Sequence, residues 1–343
     1  MKKILVVCAA LMLPCLLVHA QEAEGTDDGV VFNIIPRLDL NPVLSTEKGG
    51  ENDFNLGNTS LYTLFEGNIT ENLSFSIANH WLSREPKDLY KDTFLHTDTV
   101  NWLDWANLTY TFGDWSITAG KQPITTGGFE LDDYDWEVHP ELNSSLWETL
   151  PVYQWGGKIG WNASETTSFS AQMTTSPFGR RPLKSGLFNY SGEWRGTYDN
   201  FETITSLTFV QTVKLGEGTK FFDCFQKVLT VGLRYNAEPV VLTLDLFNKV
   251  GTDDIMASGY TILPSANWTV NDDVQILFKG GIERTKDQIP GFKRNSVNAG
   301  VAAHWTPLKD KALRLHASFG YNSRYELATF SVGALYNLSL KVK

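Results

Sequence analysis

Cysteine is nearly absent from this 343-residue chain. Of three, Cys8 and Cys15 lie among the first twenty residues, and Cys224 stands alone beyond them. A secreted chain with one thiol closes no internal disulfide, so its stability must come from a large hydrogen-bonded framework; the thiol itself, in a loop, reads as incidental. Long apolar runs are lacking as well. No stretch after Ala20 approaches the roughly 20 residues of a membrane-crossing helix, and the mean hydropathy is −0.20. No helical period stands out. Positive charge is in deficit, with 29 Lys and Arg against 39 Asp and Glu and a net charge of −10. That balance argues against nucleic acid as a partner. No metal-ligand spacing and no phosphate-cradling glycine loop occurs, so neither metal nor cofactor is expected.

What is present starts with a secretory signal over residues 1–20. Lys2 and Lys3 precede the apolar Ile4–Leu17, and Val18-His19-Ala20 offers small residues for cleavage. Lipid attachment is not expected, because Met12-Leu13-Pro14 is a bulky context before Cys15. Residues 21–343 then read as one domain.

The stretch from Trp102 to Trp155 shows how that domain is built. Ala106, Leu108, Tyr110 and Phe112 alternate with Asn107, Thr109 and Thr111; after Gly113-Asp114, Trp115, Ile117 and Ala119 alternate with Ser116, Thr118 and Gly120. Two period-2 runs about a Gly-Asp turn predict an antiparallel hairpin with one apolar face, its aromatics grouped near the turn as in a lipid-facing strand. Beyond Lys121 the chain becomes irregular and acidic, and no Lys or Arg occurs from Gln122 to Gly157. A tight turn at one end and a long charged loop at the other is the asymmetry of an outer-membrane barrel.

The same pattern repeats along the chain. Phe32, Ile34, Pro36, Leu38 and Leu40 share one face of a first strand, and Ser45–Asn55 reads as a loop. Apolar and polar positions alternate again around Ile159, Phe169, Trp194, Val231, Leu244, Trp268, Phe278, Val301, Phe319 and Val332. The phase is ambiguous in the strands near Leu56 and Phe201. About sixteen strands of roughly ten residues result, an all-β chain forming a transmembrane antiparallel β-barrel. Closure uses every strand edge, which an open sheet of this size leaves exposed. A secreted soluble β-domain is the competing architecture. It conflicts with an apolar face on nearly every strand opposite Ser, Thr, Asn, Gly or charge.

The chain also resembles the outer-membrane porins of the phosphate-selective porin O/P family. The residues that carry the resemblance are Ala119-Gly120-Lys121-Gln122-Pro123 and Gly127-Gly128-Phe129-Glu130, with Thr175-Ser176-Pro177-Phe178-Gly179 at a strand end. The resemblance implies a sixteen-stranded, trimeric channel for small, often anionic, solutes. Many such barrels end on an aromatic residue, whereas this chain ends Leu340-Lys341-Val342-Lys343.

With the apolar phase facing outer-membrane lipid, the other phase lines a lumen open to small hydrophilic solutes or ions. That phase holds Arg37, Lys158, Arg195, Arg234, Lys249, Lys279 and Arg314, with Asp39, Glu193, Asp245 and Glu283. Such charges either pair across neighbouring strands or act directly on passing ions. The loop of about residues 124–152 carries Glu130, Asp132, Asp133, Asp135 and Glu137, then Glu141 and Glu148. Folded into the pore against basic wall residues, it would set a transverse field; as a solvated surface loop it would not. Asp132, Asp133 and Asp135 lack the spacing of a calcium loop, while Phe129, Tyr134, Trp136 and Trp147 favour a packed loop. An enzyme is not expected. The histidines His80, His96, His139, His304 and His316 could serve as bases, and Ser296 and Ser318 lie near the last two, but Ser occurs on every polar face. Binding of surface glycans or a protein partner through exposed Trp and Tyr, without conduction, is the alternative function.

Overall fold

The computed structural model describes residues 32–50, 52–55, 59–81, 103–132, 144, 153–179, 182–214, 216, 220–250, 259–284 and 295–342. The signal segment, Asp133, Asp135, Glu137, Glu141, Glu148, Tyr134, Trp136, Trp147, His96 and His139 lie outside them.

In chain order the strands are β1 (Phe32–Leu40), β2 (Val43–Glu47), β3 (Asn52–Asn55), β4 (Ser60–Thr70), β5 (Leu73–His80), β6 (Leu103–Phe112), β7 (Trp115–Pro123), β8 (Tyr153–Ser164), β9 (Thr167–Thr175) and β10 (Phe188–Tyr198). They continue with β11 (Phe201–Gln211), β12 (Phe225–Ala237), β13 (Val240–Val250), β14 (Tyr260–Asn271), β15 (Val274–Arg284), β16 (Asn295–Trp305), β17 (Leu313–Asn322), β18 (Leu327–Asn337) and β19 (Leu340–Val342). Single-turn helices α1 (Phe129–Asp132) and α2 (Pro182–Ser185) sit in connections.

Sixteen of these strands, β1 and β4 to β18, form a closed antiparallel wall. Each pairs with its neighbours in sequence, and β1 closes the ring by pairing with both β4 and β18, Arg37 opposite Asn337. The strands β2, β3 and β19 are additions to this ring. Past Asn41-Pro42 the chain bends, yet β2 stays hydrogen-bonded to β18, and β3 folds back on β2. The loop expected over Ser45–Asn55 is therefore largely a hairpin. Its Ser-Thr-Glu sequence shows no apolar alternation, because it is held by backbone pairing rather than by a buried face.

Tight turns such as Gly113-Asp114, Asp199-Asn200 and Asp272-Asp273 share one end of the barrel; the long connections share the other. Outward positions are apolar and exposed: Leu242 is 49% accessible, Phe278 48% and Phe319 49%. Inward positions are mostly small or polar, and many, such as Thr208 and Thr230, are fully buried among their neighbours. An exception forms an apolar cluster on the inner wall, from Val210, Val228, Phe247 and Leu263. Cys224 ends a 3-10 turn in the connection between β11 and β12, as a loop residue, and is buried there.

The two strands of ambiguous phase are settled by register. In β4, Tyr62 lies opposite Arg37 and Ser60 opposite Asp39, so Ser60, Tyr62, Leu64 and Glu66 share the inner phase. In β11, Ser206 and Thr208 lie opposite Thr230 and Val228, so Ile204 and Val210 face inward with them. Apolar residues on the inner phase erased the alternation in both.

Candidate functional site

At the exit from β7 the chain leaves the wall and is bound to its inner face. Gln172 on β9 clamps the departing chain: its Nε2 donates to the Pro123 carbonyl at 2.8 Å and its Oε1 accepts from the Thr125 amide at 2.8 Å. Two hydroxyls of β11 then take the next carbonyls. Thr208 Oγ1 donates to Thr125 O at 2.6 Å, and Ser206 Oγ to Thr126 O at 2.5 Å. Gly127 and Gly128 follow with φ of +68° and +84°. A Cβ on Gly127 would stand 2.5 Å from Ser206 Oγ, and one on Gly128 2.9 Å from the Phe247 ring. Only glycine meets both the left-handed backbone and the close approach. The chain therefore crosses from β7 to β11 and is bound there.

Helix α1 comes next, and its first N–H groups have no partner within the helix. Asp245, inward on β13, supplies them. Its Oδ1 accepts from Phe129 N–H at 2.9 Å and its Oδ2 from Glu130 N–H at 2.7 Å. The Arg234 guanidinium lies 3.8 Å from the centroid of the Phe129 ring, a cation–π contact. Leu131 packs on the inner apolar cluster. The apolar residues that break the polar lining are thus the seat of the helix.

The helix carries two carboxylates to cations on distant strands. Glu130 Oε1 accepts from Lys279 Nζ on β15 at 2.7 Å and from Ser144 N at 2.8 Å. The Glu130 side chain is only 3% exposed and that of Lys279 14%, so this pair is largely desolvated. Asp132 receives both guanidinium prongs of Arg195 on β10, at 3.0 and 2.8 Å. Arg195 Nε also donates to Glu193 at 2.7 Å, and Lys158 lies 4.0 Å from the same carboxylate.

Of the residues singled out from sequence, Glu130, Asp132, Lys158, Arg195, Arg234 and Lys279 meet around this segment. Arg37 and Arg314 lie elsewhere, lining with Arg234 and Lys279 a cavity of about 790 Å³ that runs from α1 toward the tight-turn end. Arg37 pairs with Asp39 at 3.0 Å and Arg234 with Glu202 at 3.6 Å. Glu283 is buried against Arg324 at 2.9 Å, with Thr261 donating to its other oxygen. Lys249 falls on β13. Sequence reasoning missed Gln172, Ser206, Thr208 and Arg324, and it gave Asp245 only as a lumen charge. The Gly127-Gly128 pair was visible as a motif without its steric reason.

The histidine candidates are positioned otherwise. His304 and His316 lie opposite each other on β16 and β17, ring centroids 6.5 Å apart. His316 Nε2 shares the Asn41 Oδ1 with Ser331 Oγ, while Ser296 Oγ accepts from Arg324. His80 stacks on Tyr62 at 4.1 Å, with Asp104 3.8 Å from its Nδ1. Among the described residues, no group of three or more His, Cys, Asp or Glu is placed to hold a metal ion.

Comparison with known proteins places this geometry. The anion-selective porin from Comamonas acidovorans superposes with a TM-score of 0.64 at 10% identity, over 90% of this chain and 100% of that one. The outer membrane channel DcaP of Acinetobacter baumannii gives 0.63 at 10% identity, over 92% and 100%. The trimer form of in-vitro folded OmpT, an outer membrane protein of Vibrio cholerae, gives 0.57 at 11% identity, over 91% and 100%. At these identities the likeness is one of fold. No curated protein matches at the level of sequence. The family described as phosphate-selective porin O and P matches residues 60–243, more than half of the chain and all of the loop-bearing wall from β4 into β13. With its closed sixteen-stranded wall, the chain belongs to that family and is a channel of the bacterial outer membrane.

Proposed function

We propose that the acidic loop of about residues 124–152 folds into the pore, narrows it and biases which ions and small hydrophilic solutes diffuse through. The observation that carries this reading is Asp245 holding the amides of Phe129 and Glu130 while the helix delivers Glu130 and Asp132 to Lys279 and Arg195. These cations sit on β15 and β10, so the segment reaches well-separated parts of the wall. Carboxylates set against guanidinium and ammonium groups in a narrow lumen create a transverse field that acts on each passing ion. Arg37, Lys158, Arg234 and Arg314 extend the basic side of that field, and Asp133, Asp135 and Glu137 extend its acidic side. The mature protein is one barrel domain after a signal of residues 1–20, embedded in outer-membrane lipid and assembled as a homotrimer.

Conductance of the folded protein in a planar lipid bilayer under a salt gradient tests the reading. Discrete open steps with a reversal potential that moves toward anions on replacing Asp132, Asp133 and Asp135 by Asn are expected. An unchanged reversal potential would remove the loop from ion selection.

A further inference from the structure

The crossing segment leaves a second compartment on its far side, and its chemistry differs from that of the arginine-lined cavity. This space, of about 370 Å³, lies between residues 122–132 and the wall of β6 to β10. Trp105 and Tyr153 both face it, their ring centroids 5.6 Å apart and their planes inclined by 39°. The indole is fixed by its Nε1, which donates to Ser76 Oγ at 2.7 Å. Gln122 also lines the space. The residue is 4% exposed, and its Nε2 is buried with no hydrogen-bond partner among the described residues. A buried amide donor without a partner is costly, and a small rotation of the Gln122 side chain toward the space would let it donate to a ligand acceptor.

The charges lining the space cancel. Lys158 and Arg195 face Glu193 and Asp132 and are paired with them. A compartment with no net charge retains neither a cation nor an anion as a resident ligand, although the field of its paired charges acts on ions in passage. It offers instead donors and acceptors side by side, beneath two inclined aromatic faces. The ligand that matches is neutral, carries hydroxyls that both donate and accept, and has an apolar C–H face for an aromatic ring. We propose that this compartment is a binding site for a neutral pyranose sugar, stacked on Trp105 or Tyr153 and hydrogen-bonded to Gln122. The inference uses the outer-membrane channel only as the route of access and does not depend on the ion preference of the loop.

The test is single-channel current of the full protein in a planar bilayer, in potassium chloride with added glucose or maltose. Glycerol at matched osmolality is the control for viscosity. A saturable reduction of current by the sugar, beyond that caused by glycerol, is expected. Tyr153→Leu leaves a smaller apolar side chain without the ring, and should weaken the apparent affinity roughly fivefold to tenfold with the chloride conductance unchanged. Gln122→Leu should weaken it as well. Open steps with sugar and glycerol acting alike would overturn the site while leaving the channel in place. A saturable sugar effect that neither variant alters would also overturn it, by locating the sugar elsewhere. Absence of steps in salt alone would instead count against the channel.

Discussion

Asp132 of α1 and Arg195 of β10 form a two-pronged ion pair, with guanidinium nitrogens 3.0 and 2.8 Å from the two carboxylate oxygens across 63 residues of sequence. Both side chains are about two-fifths exposed, so the pair contributes little stability, on the order of 1 kcal/mol or less. Its effect is on charge in the lumen. Asp132→Asn should therefore leave urea unfolding of the barrel nearly unchanged and move the reversal potential toward anions. A large loss of stability without a shift in potential would reverse that assignment.

The neighbouring pair behaves differently because it is buried. Lys279→Met leaves the Glu130 carboxylate, 3% exposed, with Ser144 N–H but no cation. A cost of roughly 3 kcal/mol is expected. The double variant Glu130→Leu with Lys279→Met should recover most of it, since an apolar pair needs no compensation. A double-mutant cycle by urea unfolding in liposomes measures the coupling, and additive losses would show that the two side chains do not interact.

Asp245 holds α1 by its two carboxylate oxygens, one on each of the first two helical amides. Asp245→Ala removes acceptors from two amides and should weaken attachment of the helix by about 1–3 kcal/mol. The expected signature is a larger, noisier open current with the barrel still resisting heat in detergent. Asp245→Asn keeps one acceptor and should fall between the two.

Gly128→Ala tests the approach of the backbone to the wall. The added methyl would stand 2.9 Å from Phe247, on a residue with φ of +84°. Displacement of the segment and a raised conductance should follow. Gly113→Ala, in a tight turn with nothing within 4 Å of the new Cβ, shares the backbone strain but should leave conductance as it is.

The two phases of a strand can be told apart with arginine. Phe278, outward in the middle of β15 and 48% exposed, faces hydrocarbon. Phe278→Arg should cost about 2–4 kcal/mol of folding in lipid. Gln275→Arg, three residues away on the inner phase and lining the large cavity, should fold normally and raise anion preference. Equal tolerance at both sites would contradict the assigned phases.

The barrel was legible in the sequence because its rule is local: alternation along each strand and short turns between them. Where alternation failed, in β4 and β11, the cause was inward Tyr62, Leu64, Ile204 and Val210, which serve the lumen and not the lipid. The hairpin of β2 and β3 was hidden for a related reason, since backbone pairing to β18 leaves no side-chain pattern. The acidic loop was visible as a run of carboxylates, and Glu130 and Asp132 were named from it. Their partners were not assignable to them. Lys279 lies 149 residues from Glu130, and nothing local in either sequence encodes that meeting. Gln172, Ser206 and Thr208 read as ordinary polar wall, and only the path of the chain gives them a task.

The seam between β1 and β18 has a consequence for how the protein enters a membrane. Every other pairing of the ring joins strands that follow one another among its sixteen, β1 and β4 with only the short β2–β3 hairpin between them, but Arg37 meets Asn337, 300 positions later. Until that meeting, two strand edges present bare amides and carbonyls, and hydrocarbon charges several kcal/mol for each such group. A partly zipped sheet is therefore unwelcome in lipid, and a completed one is welcome. Entry into the bilayer and joining of the chain's two extremes become one event, and the amino-terminal strand has to wait for the carboxyl-terminal one.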